Sequence, residues 1–122
     1  MNFKTEEIKT QFHIGKLDFR LSFILYSLDN YIKMNYNYDI TVTEIWRAER
    51  HPGDVHTVWR AADIRTYDMP DSIKQAACDY LSHVFYTGDK STFIIHDTGL
   101  GLHFHIQVDS DSDTMISNNL EK

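Results

Sequence analysis

Residues 102–108 read Leu-His-Phe-His-Ile-Gln-Val, and this stretch decides how the chain folds. Its apolar and polar side chains alternate, which is the pattern of a strand with one face on the core and the other turned away. His103, His105 and Gln107 share the polar face. Two imidazoles side by side add nothing to a hydrophobic core, so the strand predicts a functional site on that face.

A second stretch complements this strand. Residues 56–63 read His-Thr-Val-Trp-Arg-Ala-Ala-Asp, which places an imidazole and a carboxylate seven positions apart. Zinc binds histidine nitrogen and aspartate oxygen, and catalytic zinc sites use three protein ligands and leave a fourth position open. The two stretches together therefore predict a zinc site.

Hydrophobic periodicity outlines the first half of the chain. Apolar residues recur every three or four positions from Leu17 to Tyr36, which predicts a long amphipathic helix. We expect its aromatic residues Phe19, Phe23 and Tyr26 to pack in the core or at its edge. Residues 39–46 are β-branched and alternating, which predicts a strand.

The second half contains a strand, a helix and a hairpin. Residues 61–66 predict a short strand, and a helix then begins at Pro70 and runs to about Gly88, with Phe85 on its apolar face. Residues 92–96 and 102–108 predict a β-hairpin across the turn Thr98-Gly99-Leu100-Gly101.

This order of elements predicts an α+β domain, with a small, mainly antiparallel sheet and helices packed on one of its faces. The domain spans residues 1–108. Residues 109–122 begin with alternating aspartates and serines, and we expect an acidic flexible tail.

Composition excludes several classes of function. The formal net charge of -6 argues against a nucleic-acid partner, which would require a basic face. The chain contains no run of about 18 apolar residues, so the sequence predicts no membrane span. The N-terminus lacks the apolar stretch of a signal peptide, so we expect a cytoplasmic protein as synthesised. We also expect a monomer, with the single Cys78 as a small core residue.

The motifs resemble a known family. Residues 56–64 resemble the His-x-x-Gly-x-Ala-x-Asp motif of the zinc D-alanyl-D-alanine carboxypeptidases and L-alanyl-D-glutamate endopeptidases, whose fold is shared with the hedgehog signalling domain. His103-Phe104-His105 resembles the His-x-His strand near the end of that fold. Residues 43–47, which end in Arg47, lie where the carboxypeptidases have a Ser-x-x-Arg segment. The ordered resemblance covers residues 40–108.

The resemblance implies a role for each matching residue. His56, Asp63 and His105 would be the ligands of a zinc ion. His103 would hydrogen-bond the attacking water or the developing oxyanion. Arg47 would bind a substrate carboxylate or the oxyanion through its two-pronged guanidinium.

Two departures from the family pattern bear on catalysis. Trp59 stands where the family has glycine, so a large ring must pack there or narrow the cleft. The general base of the peptidases, a carboxylate three or six residues before the last ligand, would fall on Leu102 or Gly99. Neither residue can take a proton.

Histidines of the hairpin are the first substitutes for this base. We favour His103 or His96, and then Asp97. The register of the hairpin decides between His96 and Asp97, because residues opposed in an antiparallel pair share a face. A turn with an even number of residues would place His96 opposite His103, and an odd number would bring Asp97 to that face.

The resemblance thus predicts a zinc-dependent peptidase that hydrolyses amide bonds of peptidoglycan stem peptides, as a carboxypeptidase or an endopeptidase. A phage or prophage origin would fit, with action at the cell wall after release during phage lysis. Two alternatives remain open. One is a catalytically silent zinc-binding module of the same fold, and the other is a phage accessory or structural protein.

Overall fold

The computed structural model describes the backbone of residues 1–86, 93–97, 102–108 and 115–116, and the side chains of residues 1–84 and 104–108. Within this part of the chain lie three helices, α1 (Glu6–His13), α2 (Phe19–Tyr36) and α3 (Asp71–Val84). Seven strands accompany them: β1 (Asn2–Phe3), β2 (Thr41–Glu44), β3 (Ala61–Arg65), β4 (Phe85–Tyr86), β5 (Phe93–Asp97), β6 (Leu102–Gln107) and β7 (Met115–Ile116).

Helix α2 confirms the amphipathic pattern read from the sequence. It begins after Asp18, whose carboxylate accepts a hydrogen bond from the backbone N–H of Arg20 at 3.0 Å. It ends at Asn37, which adopts a left-handed conformation. Its buried stripe forms the centre of the core: Leu21, Ile24, Leu25, Leu28 and Ile32.

None of the aromatic residues Phe19, Phe23 and Tyr26 of α2 is buried in the core. Phe19 is 80% exposed, and Phe23 and Tyr26 are each 53% exposed. Apolar residues of α2 extend beyond the side of the helix that faces the core, so these three lie outside the buried stripe. Tyr26 contacts the ring of Phe12 at the edge of the core, which agrees with the prediction of core or edge packing.

The main sheet has five strands in the order β1-β2-β3-β6-β5. Strand β1 runs parallel to β2, and the other neighbours are antiparallel. The sheet is therefore mixed, which corrects the expectation of a mainly antiparallel one. The N-terminal residues that supply β1 are too few and too weakly patterned to be recognised as a strand.

The two faces of this sheet differ in chemistry. Ile64 pairs with Phe104 and Ala62 pairs with Ile106 across β3 and β6, and all four are fully buried. They join buried residues of the three helices in one core cluster. Asp63 pairs with His105 on the opposite face. Alternation along two neighbouring strands thus puts the core on one side and polar groups on the other.

The end of α3 differs from the prediction. Phe85 was expected on the apolar face of this helix, but the helix ends at Val84 and Phe85 begins β4. Strand β4 pairs with β7, so Phe85 opposes Ile116 in a separate two-stranded sheet. This pairing brings together distant residues, and helical periodicity cannot anticipate it. The remaining residues of the predicted tail lie outside the described part of the chain.

None of the helices in the described part of the chain has the combination of length and hydrophobicity needed to cross a bilayer.

Candidate metal centre

Three of the residues singled out in the sequence meet on the polar face of the sheet. Asp63 and His105 are paired across β3 and β6. His56 lies in the turns that lead into β3, where successive backbone hydrogen bonds, including Trp59 N–H to His56 O, curl the chain back towards the sheet. One ligand atom from each of the three residues lies within 4.8 Å of the others. The fold therefore assembles a group that could hold a metal ion.

The ring of His56 is completely buried and fixed in orientation. Its Nδ1 lies 2.7 Å from the backbone oxygen of Ile45. A carbonyl can only accept, so Nδ1 carries the hydrogen and donates it. In the neutral ring Nε2 then holds a lone pair, and this atom lies 3.3 Å from Oδ1 of Asp63 without a hydrogen bond. Two acceptors thus face each other inside the protein.

His105 is held in a similar way. Its Nδ1 lies 2.9 Å from Oδ1 of Asp63, and its Nε2 lies 2.9 Å from Oε1 of Gln107. If Nε2 donates to Gln107, the lone pair of Nδ1 points to the same carboxylate oxygen as His56 does. The second nitrogen of each imidazole is therefore anchored, by a backbone carbonyl or by an amide, as is usual for metal-binding histidines.

The electrostatics of the metal-free site reflect this crowding. Burial would raise the pKa of Asp63, but the two neighbouring imidazoles outweigh it and hold the pKa far below its ordinary range. Burial would lower the pKa of His105, but the carboxylate of Asp63 and the amide of Gln107 outweigh it and raise the pKa. The carboxylate of Asp63 and the imidazole of His105 thus each favour the charged form of the other.

These residues could hold a metal ion. Bonds of about 2.0–2.2 Å to nitrogen and oxygen, as zinc forms, place tetrahedral ligand atoms about 3.3 Å apart. The separation between Nε2 of His56 and Oδ1 of Asp63 is also 3.3 Å, whereas Nδ1 of His105 lies closer to the same oxygen, at 2.9 Å. The buried, unsatisfied Nε2 of His56 is the observation that favours a cation most strongly, because an orphaned lone pair in the interior is costly.

Arg47 lies beside this group, as the sequence suggested, but its partners are within the protein. Its Nε lies 3.2 Å from Oδ2 of Asp54, and its Nη1 lies 3.8 Å from Oδ2 of Asp63. The side chain is 17% exposed. The guanidinium is thus oriented by Asp54 and adds positive charge next to Asp63.

Asp54 is the main residue that sequence reasoning missed. Its buried carboxylate accepts hydrogen bonds from the backbone N–H groups of Arg50 and His56, at 3.2 and 3.1 Å, in addition to Arg47. Burial would raise its pKa, but these donors lower it. A carboxylate two residues before His56 can form such a turn locally, which was the available signal. Gln107, the anchor of His105, was visible only as a residue of the polar face.

Trp59 occupies a backbone position that suits glycine. Its φ angle is 62°, in the left-handed region that side chains with a Cβ rarely adopt. Its ring stacks on Trp46 with centroids 6.2 Å apart, and Lys16 lies over it. The turn between His56 and Asp63 thus places Trp59 in a conformation that glycine adopts most readily.

The hairpin histidines are placed by their backbone only. His96 is paired with His103, and Asp97 is paired with Leu102. In this register His96, and not Asp97, takes the strand position that belongs to the polar face. The side chains of His96, Asp97 and His103 lie outside the described residues, and their proposed roles stay predictions.

The pH dependence of the metal-free protein tests the state of His105. A raised pKa contributes stability below about pH 6.5, the unfolded value, and this contribution is lost as the pH rises through the folded value. The lowered pKa of Asp63 contributes stability above about pH 3.9, and this contribution is lost as the pH falls below that value. We expect the free energy of unfolding in chelator, measured in urea titrations, to fall as the pH rises above about 6.5.

The control is His105→Gln, whose free energy of unfolding should lack the part of the decline with rising pH that is due to His105. Zinc-loaded protein should show the opposite trend, because the metal competes with protons for the same atoms. A metal-free wild type with the same pH profile as His105→Gln would contradict the assignment.

Paired substitutions at Trp59 test the strained turn. Trp59→Ala and Trp59→Gly both lose the stacking on Trp46, but only glycine relieves the positive φ. We expect the glycine variant to be more stable than the alanine variant by about 1 kcal/mol. Thermal or urea unfolding measures the difference, and an alanine variant of equal or higher stability would show that the turn does not need this conformation.

Neither family models, nor curated proteins, nor solved structures yield a match to this chain. The resemblance to the zinc peptidases therefore stands on the quoted residues of the sequence. The geometry of His56, Asp63 and His105 is a separate observation, because it comes from the folded chain and not from the motif.

Proposed function

We propose that the protein is a zinc-dependent hydrolase of amide bonds in peptidoglycan stem peptides, with the fold of the D-alanyl-D-alanine peptidases. The observation that carries the proposal is the proximity of His56, Asp63 and His105, whose ligand atoms lie within 4.8 Å of one another. Two neutral imidazoles and one carboxylate are a common ligand set of hydrolytic zinc, with the fourth position left for water or substrate.

Zinc bound by these residues would polarise a substrate carbonyl and lower the pKa of water at the open position towards about 7. The remaining work falls on the chain itself. Ile45 and Gln107 hold the two imidazoles in place through their outer nitrogens. Asp54 keeps the turn around His56 closed through the backbone N–H of that residue.

Arg47 is the proposed anchor for the substrate. Asp54 takes two of its nitrogens, at 3.2 and 3.5 Å, and Nη1 remains on the side of the metal ligands. A guanidinium with a fixed plane binds a carboxylate with little loss of side-chain entropy. Stem peptides carry free carboxylates, which is why this substrate class fits better than an uncharged peptide.

His103 and His96 are the proposed donors to negative charge that develops on the carbonyl oxygen. Both belong to the hairpin, in paired positions, and His103 is two residues before the ligand His105. An imidazole in such a position can stabilise an oxyanion by hydrogen bonding.

A catalytically silent zinc-binding module is the second candidate. The observation that favours it is the identity of Leu102 and Gly99, which occupy the positions where the resembling peptidases have their acid. A module of this kind would use the metal for stability or for binding a partner. The two candidates agree on the zinc site and differ only in turnover.

Metal analysis tests the zinc site. Protein purified without chelator should contain about one equivalent of zinc, and His56→Ala or Asp63→Ala should weaken zinc binding by about a hundredfold or more, as measured by competition with a chelating dye. His83→Ala, on the last turn of α3, is the matched control and should bind like the wild type. Wild-type protein that takes up less than a tenth of an equivalent would rule out the proposal.

Turnover then separates the two candidates. Zinc-loaded protein should release peptide fragments or D-alanine from purified sacculi or synthetic stem peptides, as detected by mass spectrometry. Arg47→Lys should raise KM for substrates with a free carboxylate more than it lowers kcat, because lysine cannot keep the two contacts with Asp54 that direct Nη1 towards the substrate. A zinc-loaded protein without turnover on any of these substrates would favour the silent module.

A further inference from the structure

Hydrolysis of an amide requires a group that takes a proton from the attacking water and delivers it to the leaving nitrogen. Two described carboxylates at the site are already engaged. Asp63 is the ligand, and Asp54 is buried among Arg47 and two backbone N–H groups. Glu44, on the strand next to Asp63, is a third carboxylate.

Strand β2 brings Glu44 to Asp63 through an irregularity in the sheet. Val42 is paired with Ile64, but Glu44 is paired with Asp63, so β2 advances two residues while β3 advances one. This is the register of a β-bulge, in which one strand carries an extra residue. Bulges of this kind redirect side chains and are frequent beside active sites.

Burial along β2 shows which way the extra residue turns the chain. Val42 and Ile45 are both fully buried, although residues three apart in a regular strand lie on opposite faces. The bulge resolves this, since Thr43 and Glu44 between them are both only half-buried. The hydroxyl of Thr43 donates to the backbone oxygen of Asp63 at 3.3 Å. Glu44 is therefore placed on the face that carries Asp63 and His105.

The carboxylate of Glu44 is also available. Within the described ranges it takes part in no hydrogen bond and no ion pair. Paired residues across antiparallel strands have Cβ atoms about 4.5–5.5 Å apart, which a glutamate side chain can span. Its half-buried position is accessible to a substrate and partly shielded from water.

We propose that Glu44 stands beside the open position of the metal and serves as the proton-transfer residue, an inference that rests on the proposed function. Its carboxylate accepts a proton from water as the water oxygen bonds to the carbonyl carbon. The same proton then passes to the amide nitrogen as the carbon–nitrogen bond breaks, which leaves a carboxylic acid, an amine and the original carboxylate. The role that Leu102 and Gly99 cannot fill is thus assigned to Glu44 on β2, in place of the hairpin residues His103, His96 and Asp97 that the sequence analysis favours.

Anion binding tests the position of Glu44 without turnover. Cobalt(II)-substituted protein is titrated with azide, and the visible absorption bands report binding at the open position. Removing one negative charge nearby should tighten azide binding about fivefold in Glu44→Gln. Glu49→Gln, which removes an exposed charge from the following loop, should leave it unchanged. Equal azide affinity in the wild type and Glu44→Gln would overturn the proposal.

Metal affinity and turnover complete the test. Glu44→Gln should bind zinc within about threefold of the wild type and lose about a hundredfold or more in kcat, with partial activity in Glu44→Asp. A hundredfold loss of zinc affinity would make Glu44 a ligand and overturn the proposal, as would an unchanged kcat. If zinc-loaded wild type has no turnover, the proposed function fails, while the azide titration still decides where Glu44 stands.

Discussion

The carboxylate of Asp63 between two imidazoles is the interaction on which the site depends. Oδ1 lies 2.9 Å from His105 and 3.3 Å from His56, in an almost fully buried position. A buried carboxylate without partners would be very unfavourable there, and a single imidazole would leave part of its capacity to accept hydrogen bonds unused. Two imidazoles whose outer nitrogens are anchored instead face the same carboxylate oxygen, and together the three residues form a group that could hold a metal ion.

The rest of the domain serves to hold these three residues at close range. Pairing of β3 with β6 places Asp63 and His105 side by side, and the apolar residues that alternate with them are fixed in the core. The carbonyl of Ile45 then connects the end of β2 to His56. A core on one side of the sheet therefore gives rigid ligands on the other, which is the usual requirement for a preorganised site.

Much of this arrangement follows from the sequence alone. Alternation in residues 102–108 predicted the strand β6 but left two hairpin registers open, and periodicity placed the start of α2 within two residues. The resemblance to the zinc peptidases named the three residues of the metal centre. The periodicities of strands, two residues, and of helices, 3.6 residues, can be read directly from the sequence.

What the sequence did not reveal depends on contacts between distant residues. The parallel pairing of β1, the early end of α3 at Val84 and the exposure of Phe19 arise only when the elements pack. Asp54 has no periodicity that marks it, and its importance comes from three donors that the folded turn brings together. The bulge in β2 is likewise visible only in the register, since Glu44 reads as an ordinary strand residue.

X-ray absorption at the zinc edge of the loaded protein tests the central claim most directly. We expect a single shell of nitrogen and oxygen at about 2.0–2.1 Å, no sulfur shell at about 2.3 Å, and outer-shell scattering from two imidazoles. The imidazole count should fall to one in His56→Gln and in His105→Gln. A sulfur shell, or two imidazoles retained in both variants, would show that zinc binds elsewhere and would contradict the account.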